Sequence, residues 1–389
     1  MFRVSPFATL LKLLPRGLFD RLVKQHAADK YRKHCSSWQQ LVAMIYAQMA
    51  DISSLRVLET SFNAHCAQHY HLGCRELKRS SLSDMNASTS AEIFSKLAEA
   101  LMHQVNRKMR GECKQVLRLI DSSSITLKGP GFDEWTAKTR TRNTQGVKLH
   151  VLFGLSERAP LAQSISAANL NDIEYARTLP IQAGALYVFD KGYCDYHWWW
   201  HIQCCKARFL TRFKRNAKLE VIEDRRIAKN AVGIILKDQI VRFANKHPGA
   251  GRHNPYRLAV RRIELARENK PPLVLATNDL KSSALSIAER YRERWQIELF
   301  FKWIKQHLRI KRFLGKSENA VRIQTLTALI AYLLTALYAQ RHALGQTLWM
   351  VLSQLRSTLF KRPDDERDRH QRWREQRTDF YARQGVLFS

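Results

Sequence analysis

Two short apolar runs constrain the fold first. Val116–Ile120 (VLRLI) and Ala185–Phe189 (ALYVF) are rich in β-branched, aliphatic and aromatic residues, as buried strands are. Each is followed at once by a carboxylate, Asp121 and Asp190. Val147–Phe153 (VKLHVLF) alternates like a strand and Ala162–Ala167 reads as a third, while Asn171–Leu179 and Tyr193–Cys205 read as helices. Such alternation predicts an α/β sheet, with ligands gathering beyond the carboxyl ends of its strands. Both runs are expected to end at their aspartates. One such Asp is ordinarily a turn residue or a helix cap. Two in one chain are a less ordinary arrangement.

A third element adds polar chemistry. Ala284–Leu308 (ALSIAERYRERWQIELFFKWIKQHL) has no Gly or Pro and follows two serines suited to N-capping, so it predicts one long helix. At helical periodicity Tyr291, Arg294, Glu298 and Lys305 fall within about 60° of one another. Trp295, Ile297, Leu299, Phe300, Phe301, Trp303 and Ile304 fill the other directions, predicting burial on most sides. The residues alone leave two readings open. One is an Arg294–Glu298 ion pair of a few tenths of a kcal/mol; the other is a phosphate-handling stripe.

The 389 residues carry a formal net charge of +31 with a pI near 10.2, which favours a polyanion, most simply nucleic acid. Ten Lys and Arg face four acids over residues 1–75, where short helices such as Trp38–Met49 suit docking on duplex DNA. Eighteen face six over 206–270, where short alternating runs and turns predict a β-rich insert. His65, Cys66, His69, His71 and Cys74 crowd together but match no familiar zinc spacing. Seven cysteines without a CxxC pair fit a reducing cytosol. No signal peptide is legible, and the apolar run Thr325–Ala339 is short for a membrane span and reads as a buried helix. No phosphate-binding glycine loop occurs, so nucleotide hydrolysis has no support.

Asp121, Asp190 and Glu298 form an oxygen-only donor set suited to Mg²⁺ or Mn²⁺. Two such ions can drive in-line transfer at a phosphodiester. These residues carry a resemblance. Tyr291-x2-Arg294-x3-Glu298-x6-Lys305 resembles the YREK signature of the insertion-sequence 4 family of DDE transposases, and LIDSSSITL and DKGY resemble that family's first two acidic motifs. The gaps of 69 and 108 residues between the acids fit as well. The resemblance spans about residues 10 to 345.

It implies an α/β, ribonuclease-H-like mixed sheet flanked by helices, interrupted by a β-strand-rich insertion and preceded by a helical domain. The expected division is a helical DNA-binding domain over 1–75, a catalytic domain over 76–205 and 273–360, a basic β-rich insertion over 206–272 and a charged tail over 361–389. The resemblance makes Asp121, Asp190 and Glu298 the catalytic metal ligands, and Tyr291, Arg294 and Lys305 the DNA-phosphate contacts. It implies double-stranded DNA, as terminal inverted repeats and target, and a homodimer acting on paired ends in the nucleoid. Similar enzymes that form hairpins can stack a flipped base on a Trp of the insertion. Residues 206–270 contain none, leaving Trp198, Trp199, Trp200 and Trp295 as substitutes. An inactive DNA-binding derivative and a nuclease on the same core are the alternatives.

Overall fold

A computed structural model gives the fold and describes residues 5–109, 116–141, 144–214, 217–244, 253–308, 310 and 312–361. The expected charged tail lies outside the described residues from 362 onward. Backbone contacts divide the chain into two compact units, residues 1–101 with 304–389 and residues 102–303.

The first unit is helical. It contains α1 (Pro6–Leu11), α2 (Arg16–Gln25), α3 (Ser37–Met49), α4 (Leu55–Asn63), α5 (Cys66–Leu72), α6 (Arg79–Ser88) and the start of α7 (Ala91–Met109). Serine side chains cap several helix starts; Ser36 accepts from Gln39 N at the head of α3. The expected His and Cys group is used in packing. His69 stacks on Phe62 and bonds its carbonyl oxygen, and His65 stacks on Phe360.

The second unit is built on one nine-stranded mixed sheet. Its strands are β1 (Leu117–Thr126), β2 (Gly146–Gly154), β3 (Ala159–Ala167), β4 (Leu186–Phe189), β5 (Arg208–Arg212), β6 (Leu219–Asp224), β7 (Ile235–Phe243), β8 (Val260–Leu265) and β9 (Leu273–Thr277). The order is β3-β2-β1-β4-β5-β9-β8-β7-β6. β1, β4 and β5 are mutually parallel and β2 is antiparallel to β1, which is the ribonuclease-H-like arrangement. The insertion strands β6–β8 extend the same sheet through β9.

Helices cover both faces. α8 (Asp133–Thr136) lies in the β1–β2 connection, and α9 (Asp172–Thr178) and α10 (Tyr196–Cys204) follow. The face bearing Ile120, Tyr187, Phe189 and Phe209 is buried with Tyr175, Trp198 and Trp199 of those helices. α11 (Ala284–Arg292) packs against β5 and β7. Phe300 of α12 (Trp295–His307) tilts against Phe153 of β2, ring centroids 5.3 Å apart. α13 (Glu318–Arg341) and α14 (Leu348–Thr358) belong to the helical unit. The apolar run Thr325–Ala339 lies in α13, a helix long and apolar enough to cross a membrane, yet nearly all of its apolar stretch is buried in protein. It packs against α3 and α6.

Three expectations need correction. β1 does not stop at Asp121. Its residues Ser122–Thr126 stay paired with Gly146–His150 of β2, and only the pairing with β4 ends at Ile120. Residues 284–308 are two helices. At the junction Arg294 N bonds Tyr291 O and Ile297 N bonds Arg294 O, so i→i−3 turns replace the α-helical ladder. No glycine or proline forces this break. Nor is the second helix buried on most sides: Trp295 is 56% and Leu299 40% exposed, while Ile297, Phe300, Phe301 and Ile304 face inward.

Gly146 fixes the β1–β2 register. Its φ is +145°, and a Cβ there would sit 2.1 Å from Ile125 O. Gly146→Ala should therefore lower stability by about 2 kcal/mol or more, read as a drop of several degrees in thermal midpoint.

Candidate active site

The site begins as a register. Ile120 of β1 is paired in parallel with Phe189 of β4, so Asp121 and Asp190 follow side by side. Adjacent strands put their Cα atoms about 5 Å apart. Ile120 and Phe189 point into the core cluster, so by strand alternation both aspartates point to the opposite face. Val188 pairs with Leu210 of β5, so Arg212 falls next to Asp190 in the same row. The row Asp121–Asp190–Arg212 thus crosses three neighbouring strands on the face that α12 covers.

Charge decides how this row is held. Asp121 Oδ1 accepts from Ser122 N at 2.8 Å. Burial pushes the Asp121 carboxyl up to about 6; the Ser122 N–H and Arg294 pull it back, and Glu298 and Asp190 add to the rise. Asp190 is also partly desolvated, which favours its neutral form. The Arg212 guanidinium and the Lys191 N–H outweigh that and hold it below the usual carboxylate range. Arg212 Nε donates to Asp190 Oδ1 at 3.0 Å and its Nη2 binds the same oxygen.

Arg294, at the break between α11 and α12, joins the third acid. Its Nη2 donates to Glu298 Oε1 at 2.5 Å and its Nη1 lies 3.8 Å from Asp121 Oδ2. Tyr291 is buried with its ring 5.9 Å from the same guanidinium. Its hydroxyl and Arg294 Nε are buried without a hydrogen-bond partner among the described residues. Burial raises the pKa of that hydroxyl, so it is a proton donor at neutral pH. Lys305 lies in the last turn of α12, about 10 Å along the axis from Glu298. It falls in the helical unit.

Arg212 escaped the sequence reading. In FLTRFKR it is one cation among several, and only the parallel register of β4 with β5 brings it to Asp190. A supporting cluster behind β1 was also missed. Ser122 Oγ donates to Asp172 at 2.9 Å, and Lys148 Nζ donates to the same carboxylate at 3.2 Å. The buried His150 ring bonds Ser166, and burial lowers its pKa to about 4, so it is neutral. This cluster pins the residue next to Asp121 from the opposite face. Of the four tryptophans considered for stacking, Trp198 and Trp199 are core, Trp200 lies edge-on to Tyr256, and Trp295 is open to solvent.

The arrangement gathers hard-oxygen donors with guanidinium groups already among them. Among the described residues no three His, Cys, Asp or Glu side chains are disposed around one point. The cationic positions beside the acids are taken by Arg294 and Arg212. The donor chemistry fits Mg²⁺ or Mn²⁺ provided these guanidinium groups yield.

Comparison with known proteins gives the family. Residues 112–334 match the family described as Transposase DDE domain, and residues 3–75 match a domain of unknown function. A putative transposase, y4zB of Sinorhizobium fredii, is 39% identical over 73% of this chain and 78% of its own length. The probable transposase for insertion sequence element IS5377 of Geobacillus stearothermophilus is 26% identical over 62% of each chain. A putative transposase for element IS4SA of Synechocystis is 31% identical over 41% of this chain and 43% of its own. A solved piggyBac transposase complex with hairpin DNA covers 90% of this chain and 79% of its own at 8% identity, with a TM-score of 0.47, too slight a likeness to argue from.

Asp121 yields a prediction. Its pKa rises from about 3.9 unfolded to about 6 folded, so its contribution favours folding below about pH 4 and is lost as pH rises through 6. Asp121→Asn should therefore stabilise the metal-free protein. The gain should develop between about pH 4 and 6 and hold above that, at most about 3 kcal/mol. Thermal melts of both proteins across this range check it.

Proposed function

The chain belongs to the DDE transposase family, and on that premise we propose that it cuts an insertion sequence at its terminal inverted repeats and joins the ends to target DNA, with Asp121, Asp190 and Glu298 as the catalytic, metal-holding carboxylates. One observation carries the reading: Asp121 and Asp190 each follow directly on Ile120 and Phe189, which are paired on adjacent parallel strands, and Arg294 ties the first of them to Glu298. DDE transposase domains use divalent ions. Bound Mg²⁺ or Mn²⁺ would supply Lewis acidity toward the attacking water and the leaving oxygen.

The residues do the rest. Asp121 would hold the ion as its carboxylate, and burial places loss of its proton near pH 6. Asp190 is already ionised, and Arg212 turns from it toward phosphate. Tyr291 donates its unpartnered hydroxyl to a phosphate oxygen, and Arg294 presents its unpartnered Nε. Lys305 completes the YREK pattern as a third phosphate contact. The helical N-terminal segment and the basic insertion grip duplex DNA by its backbone, and two copies act on paired ends in the nucleoid. Mn²⁺ affinity should accordingly fall as pH drops below about 6, as protons compete for Asp121.

Glu298→Gln tests the assignment. With Mg²⁺ and a duplex ending in the element's inverted repeat, nicking should fall on the order of a thousandfold while binding stays within about twofold. A fully active variant overturns the role of Glu298. Binding itself should weaken steeply with salt, with a log–log slope of about −0.9 per phosphate contacted. A flat binding curve between low and moderate salt is the contrary result.

A further inference from the structure

β1 and β4 separate just where the carboxylates begin. Their pairing ends at Ile120 and Phe189; β1 runs on beside β2, and the chain after β4 turns off through Lys191–Tyr193. The β1–β4 ladder alone therefore does not fix Asp121 against Asp190. Asp172, the first residue of α9, sits in this fork. Its Oδ1 accepts from Ser122 Oγ at 2.9 Å, one residue beyond Asp121, and from Lys148 Nζ at 3.2 Å. Its Oδ2 faces the turn: a Cβ on Gly192, two residues beyond Asp190, would meet it at 3.8 Å. α9 packs on both arms of the fork, against β1 and against Lys191–Tyr193. β2 holds the carboxylate from the side. Ser122 pairs with His150 and Ser124 with Lys148, so these side chains share one face. Lys148 also donates to the Leu170 carbonyl oxygen at 2.8 Å, which fastens it at the entry to α9. His150 Nδ1 lies 3.9 Å from Asp172 Oδ1 and is buried without a hydrogen-bond partner among the described residues.

We propose that Asp172 is a positioning residue: it ties the strand after Asp121 to the turn after Asp190, and so sets how the two carboxylates meet a divalent ion. It works from the α9 face, behind the sheet from the carboxylates, and touches neither of them. Apolar side chains would pack α9 on the sheet as well as a partly buried Asp with Lys and His does. What the polar group adds is direction, because its hydrogen bonds fix angle as well as distance. Outer partners that orient metal ligands ordinarily govern affinity by about 10- to 100-fold. The inference rests on the metal-holding role proposed above for Asp121 and Asp190.

The test titrates the full-length chain with Mn²⁺, read by electron paramagnetic resonance of the free ion, beside thermal melts. Asp172→Ala removes the acceptor, whereas Asp172→Asn keeps Oδ1 and removes only the charge. Ser122→Ala breaks the same bond from the other side and carries the test should Asp172→Ala not fold. Leu179→Ala loosens the buried end of α9 without touching the group. Asp172→Ala and Ser122→Ala should each weaken Mn²⁺ binding about tenfold, and the two together should do no more than either alone. Asp172→Asn should stay within about threefold of the unaltered chain. Leu179→Ala should lower the thermal midpoint at least as far as Asp172→Ala and leave affinity within about twofold. Unchanged affinity in Asp172→Ala and Ser122→Ala overturns the proposal. So does equal loss in Asp172→Asn, which makes charge the cause, or equal loss in Leu179→Ala, which makes it general loosening. The metal-holding reading fails separately, if the unaltered chain binds Mn²⁺ no better than Asp121→Asn with Asp190→Asn.

Discussion

Burying carboxylates side by side is the constraint this site is built around, with desolvation the larger cost and repulsion from neighbouring acids adding to it at Asp121. A sheet can bring Asp121 beside Asp190 cheaply, because parallel register does it. Desolvating both next to Glu298 is costly unless positive charge is close. Arg294 and Arg212 supply that charge from two directions, one from the helix break and one from the neighbouring strand. Asp190, which has its own guanidinium, stays ionised. Asp121, whose guanidinium is shared and more distant, holds its proton to higher pH. The two aspartates are thus unequal before any ligand arrives.

Much of this was legible in the chain. The runs around VLRLI and ALYVF showed their strands because buried parallel strands leave no polar alternation to confuse the reading. The carboxylate after each was visible for the same reason. The apolar helix over Thr325–Ala339 showed itself by composition, and the Ser283 cap of α11 by residue type.

Other features were hidden because they depend on what sits alongside. Asp121 was placed at a strand end, yet β1 continues; the serines after it look like a turn, and only β2 makes them a strand. The break at Arg294 has no glycine or proline to announce it. It occurs where a guanidinium meets two carboxylates from different elements, and helix propensity carries no such information. Arg212 is the strongest case. Nothing in its neighbourhood separates it from Arg208 or Lys214, and its role comes from the pairing of Val188 with Leu210. Helical periodicity over residues 284–308 describes one straight helix, whereas Tyr291 reaches Arg294 across a bend.

The way the extra strands join the sheet has a consequence for descent. β5 pairs directly with β9 through Leu210–Thr277, Thr211–Ala276 and Arg212–Leu275, and β6, β7 and β8 hang outside that pair. Arg261 of β8 stitches them down, bonded to Asp238 of β7 and to the Ser282 carbonyl ahead of α11. Excising the segment between β5 and β9 would leave a six-stranded sheet with its ladder unbroken and its acidic row in place. A lineage could therefore trade, shorten or discard this module as a cassette while Asp121, Asp190 and Arg212 stay where they were.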